Sequence, residues 1–209
     1  MSHPFQPSKD TGLVYAYGLH GNAYLNVTNR CTLRCRFCPK FNGSWSVQDY
    51  PLRIVREPLP HDLLEALGDP GEFQEVVFCG LGEPTLRLNT LIETARVLHE
   101  QGARVRVNTD GLANLVHGRN VTPELGGLVD ALSISLNAQD EDTYNQYCRP
   151  KRARAYRAML DFVARARDQV PQVTVTAIDG LAGVDIEACA RIADRLGVTF
   201  RRRILNQVG

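Results

Sequence analysis

Short apolar segments alternate with amphipathic helical segments along most of the 209-residue chain, and this alternation is the strongest constraint on its fold. Parallel strands need long crossover connections, usually helices, so the pattern predicts an α/β fold with a largely parallel sheet. Six strands rich in Val, Ile, Leu or Phe are predicted, over 23–27, 75–79, 104–108, 131–136, 173–178 and 198–202. Six units are too few for the closed eightfold barrel, which needs about 250 residues. We therefore predict a partial (β/α)6 TIM-like barrel, with a flat doubly wound sheet as the alternative.

Three longer segments between these strands carry apolar side chains at the spacing of an amphipathic helix. Gly102 and Gly197 follow two of them, as is typical just after a helix. The apolar stripes cover 91–98, 155–166 and 186–196, and a shorter helix is predicted over 60–67. In sheets built this way, catalytic groups lie at the carboxyl ends of the strands, where the loops converge. The segments directly after the strands are therefore the first candidates for chemistry.

Composition and charge exclude several classes of protein. Hydrophobic residues make up 44% and charged residues 22% of the chain, which is ordinary for a globular domain and too apolar for a disordered one. The 24 basic and 23 acidic residues leave a net charge of +1, so bulk binding to nucleic acid is not expected. No apolar run approaches the roughly 18 residues of a membrane helix, and the first residues lack an export signal. We expect one domain over residues 1–209, in a reducing cytoplasm.

Three cysteines lie close together directly after the first predicted strand. Cys31, Cys35 and Cys38 are separated by three and then two residues, so a loop can point their thiolates toward one centre. Thiolates in a cytosolic protein select zinc or an iron–sulfur cluster. Structural zinc sites use four ligands, and no further cysteine or histidine follows at the usual spacing. A cubic four-iron cluster would keep one iron free for another molecule. Zinc, a structural role and redox-active thiols remain the alternatives.

The cysteine spacing, with the aromatic Phe37 just before the last cysteine, resembles the core motif of the radical S-adenosylmethionine (SAM) superfamily. This resemblance implies that Cys31, Cys35 and Cys38 bind a [4Fe–4S] cluster, that the fourth iron binds SAM, and that Phe37 lies beside the cofactors. In that family an injected electron cleaves SAM to methionine and a 5′-deoxyadenosyl radical, which abstracts hydrogen from a substrate. A reductant such as flavodoxin or ferredoxin is an implied partner.

Two further strand ends resemble cofactor-binding segments of the same family. Residues 79–86 are similar to the Gly-Gly-Glu-Pro segment that receives the methionine amino group, with Leu81 in place of one glycine. The resemblance assigns Gly82 and Glu83 to the SAM site, whereas the segment alone is also typical of a tight turn. Asn108 begins a segment similar to the family's Thr-Asn-Gly turn and is assigned to the same site. Its alternative is an ordinary Asp-Gly turn.

The fourth predicted strand ends in polar residues that share one face. Ser133, Ser135 and Asn137 alternate with apolar residues, so their side chains lie on the same side of the strand. In the family, the end of this strand contacts the cofactor ribose, which makes Ser135 and Asn137 the candidates for that contact. Asn137 or Asp140 could instead cap the following helix. The fifth strand departs from the family's adenine pattern, so no adenine contact is assigned.

Three other features have open interpretations. Arg201, Arg202 and Arg203 form a cationic cluster in the last strand, which is either solvated or holds a substrate phosphate or carboxylate through one arginine. Cys148 either packs in the interior or faces the open end of the barrel, where it is the one candidate for a catalytic group. The connection over 40–57 either forms a lid over the cluster or covers the barrel surface.

The resemblance extends along almost the whole chain to the TatD-linked radical SAM proteins. It is carried by residues 77–80, 119–125, 133–138, 148–150 and 183–189. This likeness implies a connection to a TatD-type metal-dependent hydrolase and does not imply a substrate. We therefore expect a radical SAM enzyme whose substrate is unidentified. The alternative is a non-catalytic iron–sulfur or zinc protein that senses redox state or metal, or binds a partner.

Overall fold

A computed structural model describes residues 13–205 and contains one large sheet covered by helices. The strands of the described part are β1 (Ala16–Leu19), β2 (Asn22–Asn26), β3 (Ser46–Val47), β4 (Tyr50–Pro51), β5 (Val76–Cys79), β6 (Val105–Thr109), β7 (Ala131–Ser135), β8 (Gln172–Asp179) and β9 (Thr199–Ile204). The helices are α1 (Pro60–Leu67), α2 (Leu88–Glu100), α3 (Ala113–His117), α4 (Thr122–Leu125), α5 (Glu141–Cys148), α6 (Ala155–Ala166) and α7 (Ile186–Leu196). Short 3-10 turns cover Pro39–Asn42, Pro70–Glu72 and Pro84–Arg87.

The seven strands of the main sheet follow the order β1-β2-β5-β6-β7-β8-β9. From β2 to β9 every pair is parallel, and each crossover contains helical segments. The six predicted strands correspond to β2 and β5 to β9, with ends within two residues of the predicted ones. The prediction of an α/β partial barrel is therefore confirmed.

The sequence pattern does not predict β1, the first strand of the main sheet. The β1 strand pairs antiparallel with β2, with Ala16 opposite Leu25. The turn between the two strands contains His20 and Gly21, both at positive φ, as two-residue hairpin turns require. A four-residue edge strand that contains a glycine gives too weak a pattern to be recognised alone.

The two faces of the main sheet differ in chemistry. From β2 to β8 one face packs against the helices and is fully buried at Leu25, Phe78, Val107, Ile134 and Val175. The opposite face, called the inner face below, carries Arg106, Asn108, Ser133, Ser135, Thr174 and Thr176. A doubly wound sheet would have helices on both faces, so the polar inner face distinguishes the partial barrel from that alternative.

The sheet curls around its inner face. Arg201 of β9 interacts electrostatically with Tyr24 of β2 and Arg106 of β6, although β9 and β2 lie at opposite ends of the parallel part of the sheet. Such proximity requires the strands to bend toward one another. None of the helices within residues 13–205 has the length and apolar character needed to cross a membrane.

Candidate cofactor site at the carboxyl ends of the strands

The cysteine loop, residues 28–39, follows β2 and is fastened to the end of α5. The amides of Arg34 and Arg36 donate hydrogen bonds to the carbonyls of Cys148 (3.0 Å) and Tyr147 (2.8 Å). The Lys151 amide donates to the Thr32 carbonyl at 3.1 Å. These bonds join segments more than 110 residues apart in sequence, so the loop is held by the tertiary fold. Cys31, Cys35 and Cys38 are free thiols and are all partly buried on this loop.

The arrangement of the three thiols distinguishes between kinds of metal site. Within residues 13–205, no group of three or more Cys, His, Asp or Glu side chains is drawn together tightly enough to hold a single metal ion. A zinc ion needs its ligands to converge on one point. In a cubic cluster each cysteine binds a different iron, so its three sulfurs need not converge. Cys35 interacts electrostatically with Cys31 and Cys38, so the three thiols lie near one another, and three thiol donors are one fewer than the four ligands of a closed structural zinc site.

Two of these thiols are kept protonated in the metal-free chain. Burial, with the nearby Asp110 and Glu83, raises the pKa of Cys31 to about 12. A hydrogen bond with the Cys148 thiol, together with burial, raises the pKa of Cys35 well above its ordinary value. Because metals bind thiolates, loading of this loop must release protons.

The segment after β5 packs directly against the stem of the cysteine loop. A Cβ atom on Gly82 would lie 1.9 Å from the Thr28 carbonyl oxygen and 2.7 Å from that of Arg30. The neighbouring Glu83 amide donates a 2.8 Å hydrogen bond to the Arg30 carbonyl. Only glycine permits this approach of two backbones. Gly82 therefore sets the distance between the β5 loop and the loop that carries Cys31.

Glu83 ties two strand ends together through its side chain. The buried carboxylate accepts hydrogen bonds from the Thr85 amide (3.0 Å) and hydroxyl (2.7 Å), the Thr109 hydroxyl (2.8 Å) and the Asp110 amide (2.6 Å). Burial and the Glu83 charge raise the pKa of Asp110 well above its ordinary value. The Thr32 hydroxyl donates to Asp110 and so links this pair to the cysteine loop.

Asn108 and Ser135 both lie on the inner face, one on β6 and one on β7. The Asn108 side chain donates to the Cys79 sulfur at 3.4 Å, and its buried Oδ1 has no hydrogen-bond partner. Ser135 is partly buried and pairs in register with Thr176 of β8. The structure therefore places both residues on the surface predicted to face a ligand.

Asn137 adopts a left-handed backbone conformation (φ 60°) just after β7 and is almost fully buried. Its Nδ2 lies 3.5 Å from the Cys148 sulfur, and its Oδ1 has no partner. The cap of α5 is Asp140, whose Oδ1 accepts from the Thr143 amide at 2.7 Å. Asn137 is thus not the helix cap, and its amide is directed toward Cys148, which is fully buried beside Cys35.

Three of the unpartnered buried side-chain atoms within residues 13–205 lie at or near the carboxyl ends of strands, while others, such as Asn22 Oδ1 and the Tyr144 hydroxyl, lie elsewhere. The three are the Oδ1 atoms of Asn26, Asn108 and Asn137, at or near the ends of β2, β6 and β7. A buried polar atom without a partner is energetically unfavourable and needs an explanation, such as a ligand that supplies the missing hydrogen bond. This edge of the sheet therefore fits a polar cofactor. Sequence reasoning missed Asn26, because nothing in its local pattern distinguishes it from an interior strand residue.

An open pocket of about 560 Å³ lies beside Cys31 and includes several cations. The basic side chains that line it are Arg30, Lys40, Lys151 and Arg152. Phe41 and Trp45, from the 40–57 connection, line the same pocket, while Tyr50 packs on Tyr17 of β1 with ring centroids 5.3 Å apart. Part of the connection therefore borders the cysteine loop and part covers the barrel surface, and its role as a lid stays a prediction. Phe37 packs against the main core.

Comparison with known protein families agrees with this geometry. The model of the Radical SAM superfamily matches residues 25–196, which include the cysteine loop and all strand ends described above. The chain belongs to the radical SAM superfamily. This is an enzyme family, and membership identifies the cofactors as a [4Fe–4S] cluster and SAM.

Individual relatives of this radical SAM protein catalyse different reactions. A probable dual-specificity RNA methyltransferase, RlmN, of Deinococcus deserti is 31% identical over 144 residues, which are 66% of this chain and 40% of the relative. A GTP 3',8-cyclase of Corynebacterium glutamicum is 26% identical over 188 residues, or 85% of this chain and 47% of the relative. The chain thus spans less than half the length of these two relatives.

A solved structure of TYW1 with a lysine–pyruvate adduct bound has a TM-score of 0.63 and 17% sequence identity. The similarity covers 90% of this chain and 66% of the other. At this level of identity the likeness concerns the fold alone. It agrees with the partial barrel and its curled, mostly parallel sheet.

Proposed function

We propose that this protein is a radical SAM enzyme that cleaves SAM reductively and uses the product radical to abstract hydrogen from a substrate. The observation that carries the proposal is the loop after β2, where three partly buried thiols lie beside strand ends with unpartnered amide oxygens. Cys31, Cys35 and Cys38 are the proposed cluster ligands. The chemistry that the cofactors supply when bound is cleavage of SAM to methionine and a 5′-deoxyadenosyl radical.

The residues proposed to hold SAM act in different ways. Asn108 and Asn137 offer buried Oδ1 atoms that can accept hydrogen bonds, and Ser135 offers a hydroxyl that can donate one. The Glu83 carboxylate already accepts four hydrogen bonds, so it orients the β5 and β6 loops and leaves Gly82 and neighbouring backbone atoms to meet the ligand. Phe37 supplies apolar cover near the cluster.

Cys148 is proposed as a positioning residue. It is fully buried and contacts both Cys35 and the Asn137 side chain. Once Cys35 binds iron as a thiolate, the Cys148 S–H can donate a hydrogen bond to it. A hydrogen bond to a cluster sulfur is one of the factors that tunes the reduction potential. Direct attack on a substrate would require Cys148 to leave this environment.

The electron is proposed to enter beside Cys31. Arg30 beside the 560 Å³ pocket is paired with Glu57, but within residues 13–205 Lys40, Lys151 and Arg152 have no carboxylate partner and form a cationic surface next to the cysteine loop. Attraction between this positive surface and a negatively charged protein would speed their association and make its rate depend on ionic strength. An acidic reductant such as a flavodoxin or ferredoxin fits this surface.

Three further expectations concern the domain, the compartment and a partner protein. The described residues form one large sheet with its helices and a small two-stranded sheet of β3 and β4, which supports a single core domain over residues 1–209. All six cysteines are free thiols, as a reducing cytoplasm would keep them. The similarity to TatD-linked radical SAM proteins supports a TatD-type hydrolase as a partner. The substrate is one that has a hydrogen within reach of the inner face.

A pair of matched variants tests the proposal. Anaerobically reconstituted protein is reduced in the presence of SAM, and iron, sulfide and 5′-deoxyadenosine are measured. We expect Cys35→Ala to lose the cluster and the product, while Cys189→Ala, which removes a fully buried thiol from α7, keeps both. An intact cluster in the native protein without any 5′-deoxyadenosine would favour the non-catalytic iron–sulfur alternative. Bound zinc instead of iron would overturn both the proposed enzyme function and the iron–sulfur alternative.

A further inference from the structure

The last strand brings two arginines onto the inner face. In the ladder between β8 and β9, Thr176 lies opposite Arg201 and Ile178 lies opposite Arg203. Thr176 in turn lies opposite Ser135 of β7. Ser135, Thr176 and Arg201 therefore form one row across three adjacent strands, and Arg203 lies one step further toward the carboxyl ends.

These two arginines lack the acidic partners that neighbouring arginines have. Arg202, on the opposite face of β9, is paired with Asp179, and Arg106 is paired with Glu75 at 2.6 Å. Among the described residues, neither Arg201 nor Arg203 forms an ion pair with a carboxylate. Glu75 is near enough to attract Arg201 electrostatically, but it is already paired with Arg104 and Arg106, so the inner face carries more positive than negative charge around Arg201 and Arg203.

Arg201 is surrounded by like charges, although it remains partly exposed to solvent. Partial burial and the like charges of Arg106 and Arg203 lower the pKa of Arg201. A bound oxyanion would relieve the repulsion and restore hydrogen bonds to the guanidinium groups. Guanidinium groups bind phosphate and carboxylate through two parallel N–H donors. The Thr176 hydroxyl, in the same row as Arg201, can donate a further hydrogen bond.

We propose that Arg201 and Arg203 form a binding site for a doubly charged oxyanion of the substrate, such as a phosphate group or a pair of carboxylates. This inference rests on the proposed function and adds the substrate's chemical class. Because Ser135 is also a proposed SAM contact, the anion would be held next to the cofactor, with the rest of the substrate on the inner face. Arg202 does not belong to this site, because it lies on the other face of β9 and is paired with Asp179.

Binding of simple anions tests the site separately from the radical chemistry. Inorganic phosphate and malonate are titrated into the reconstituted full chain without reductant, so that SAM cleavage cannot occur, and binding is followed by calorimetry. We expect Arg201→Gln and Arg203→Gln each to weaken binding by about tenfold or more, as expected for loss of a charged hydrogen-bond donor. Arg202→Gln, on the same strand but the opposite face, is expected to bind like the native protein.

Each outcome has a defined meaning. Tighter binding of phosphate indicates a phosphate-bearing substrate, and tighter binding of malonate indicates a dicarboxylate; either supports the site. The proposal is overturned if the native protein binds neither anion or if Arg202→Gln weakens binding as much as the other two variants. If Arg201→Gln fails to fold, Arg203→Gln carries the test alone and must still weaken binding by about tenfold or more. Anion binding by a protein that never forms 5′-deoxyadenosine would refute the proposed function alone.

Discussion

Replacing Gly82 by alanine tests whether the contact between two loops determines the position of Cys31. The new Cβ would lie 1.9 Å from the Thr28 carbonyl oxygen, whereas real Cβ atoms essentially never approach closer than 3.0 Å. The two backbones must therefore separate by about 1.1 Å, the difference between these values. If the Arg30 carbonyl takes up that shift, its 2.8 Å hydrogen bond with the Glu83 amide lengthens beyond hydrogen-bonding distance.

The expected cost combines overpacking, about 1–3 kcal/mol, with the lost hydrogen bond, about 1 kcal/mol, so Gly82→Ala should destabilise the metal-free chain by about 2–4 kcal/mol. Gly102→Ala is the control, because Gly102 also follows a regular element but an added Cβ there meets nothing within 4 Å. Its positive φ of 75° implies a cost of about 1 kcal/mol.

Urea unfolding gives the two free energies, and iron per chain after anaerobic reconstitution reports on the cysteine loop. We expect only Gly82→Ala to lose iron. Equal stability of the two variants, or full iron content in Gly82→Ala, would refute the idea that this close approach positions Cys31.

Three further predictions follow from the charges and contacts described above. Burial and Glu83 raise the pKa of Asp110. The folded state is therefore favoured while Asp110 is protonated, and its stability falls as the pH rises through the folded-state pKa. In urea unfolding, we expect Asp110→Asn to be more stable than the native chain at pH 8, and we expect this difference to shrink toward pH 4. Hydrogen bonds from Arg56 lower the pKa of Asp62 to about 2. Above pH 4 the native chain should therefore be more stable than Asp62→Asn. In thermal unfolding, this difference in stability should disappear as the pH falls from 4 to 2. Cys148→Ala should keep the iron content but lower the cluster's reduction potential in an electron paramagnetic resonance titration, whereas Cys189→Ala should leave the potential unchanged.

The parts of the fold that sequence predicts well are those with dense local signals. The inner strands β5 to β8 are apolar on the helix-facing side, and α7 lies between Asp185, which caps it, and Gly197, which ends it with φ 67°. The cysteine loop is recognisable from the spacing of Cys31, Cys35 and Cys38 after β2. These signals are contained within a few residues, so they need no knowledge of tertiary contacts.

The missed features depend on contacts between distant segments. Asp110 interacts with Thr32, which is 78 residues away, and Glu83 reaches Thr109 and the Asp110 amide. Asn26 is an interior polar residue whose Nδ2 bonds the Val14 and Leu52 carbonyls. Periodicity gives no information about such pairings, because it records which face a residue occupies and not what it meets there.

The attachment of the cysteine loop to α5 has a consequence for the genetics of this protein. Because carbonyls at the end of that helix accept hydrogen bonds from the Arg34 and Arg36 amides, the helix restricts the movement of the cysteine loop. Substitutions in α5 that never touch iron should therefore shorten the lifetime of the cluster in air. In a survey of variants, we expect the substitutions that make the cluster more sensitive to oxygen to fall in the cysteine loop and in α5. These two regions are distant in sequence and adjacent in space.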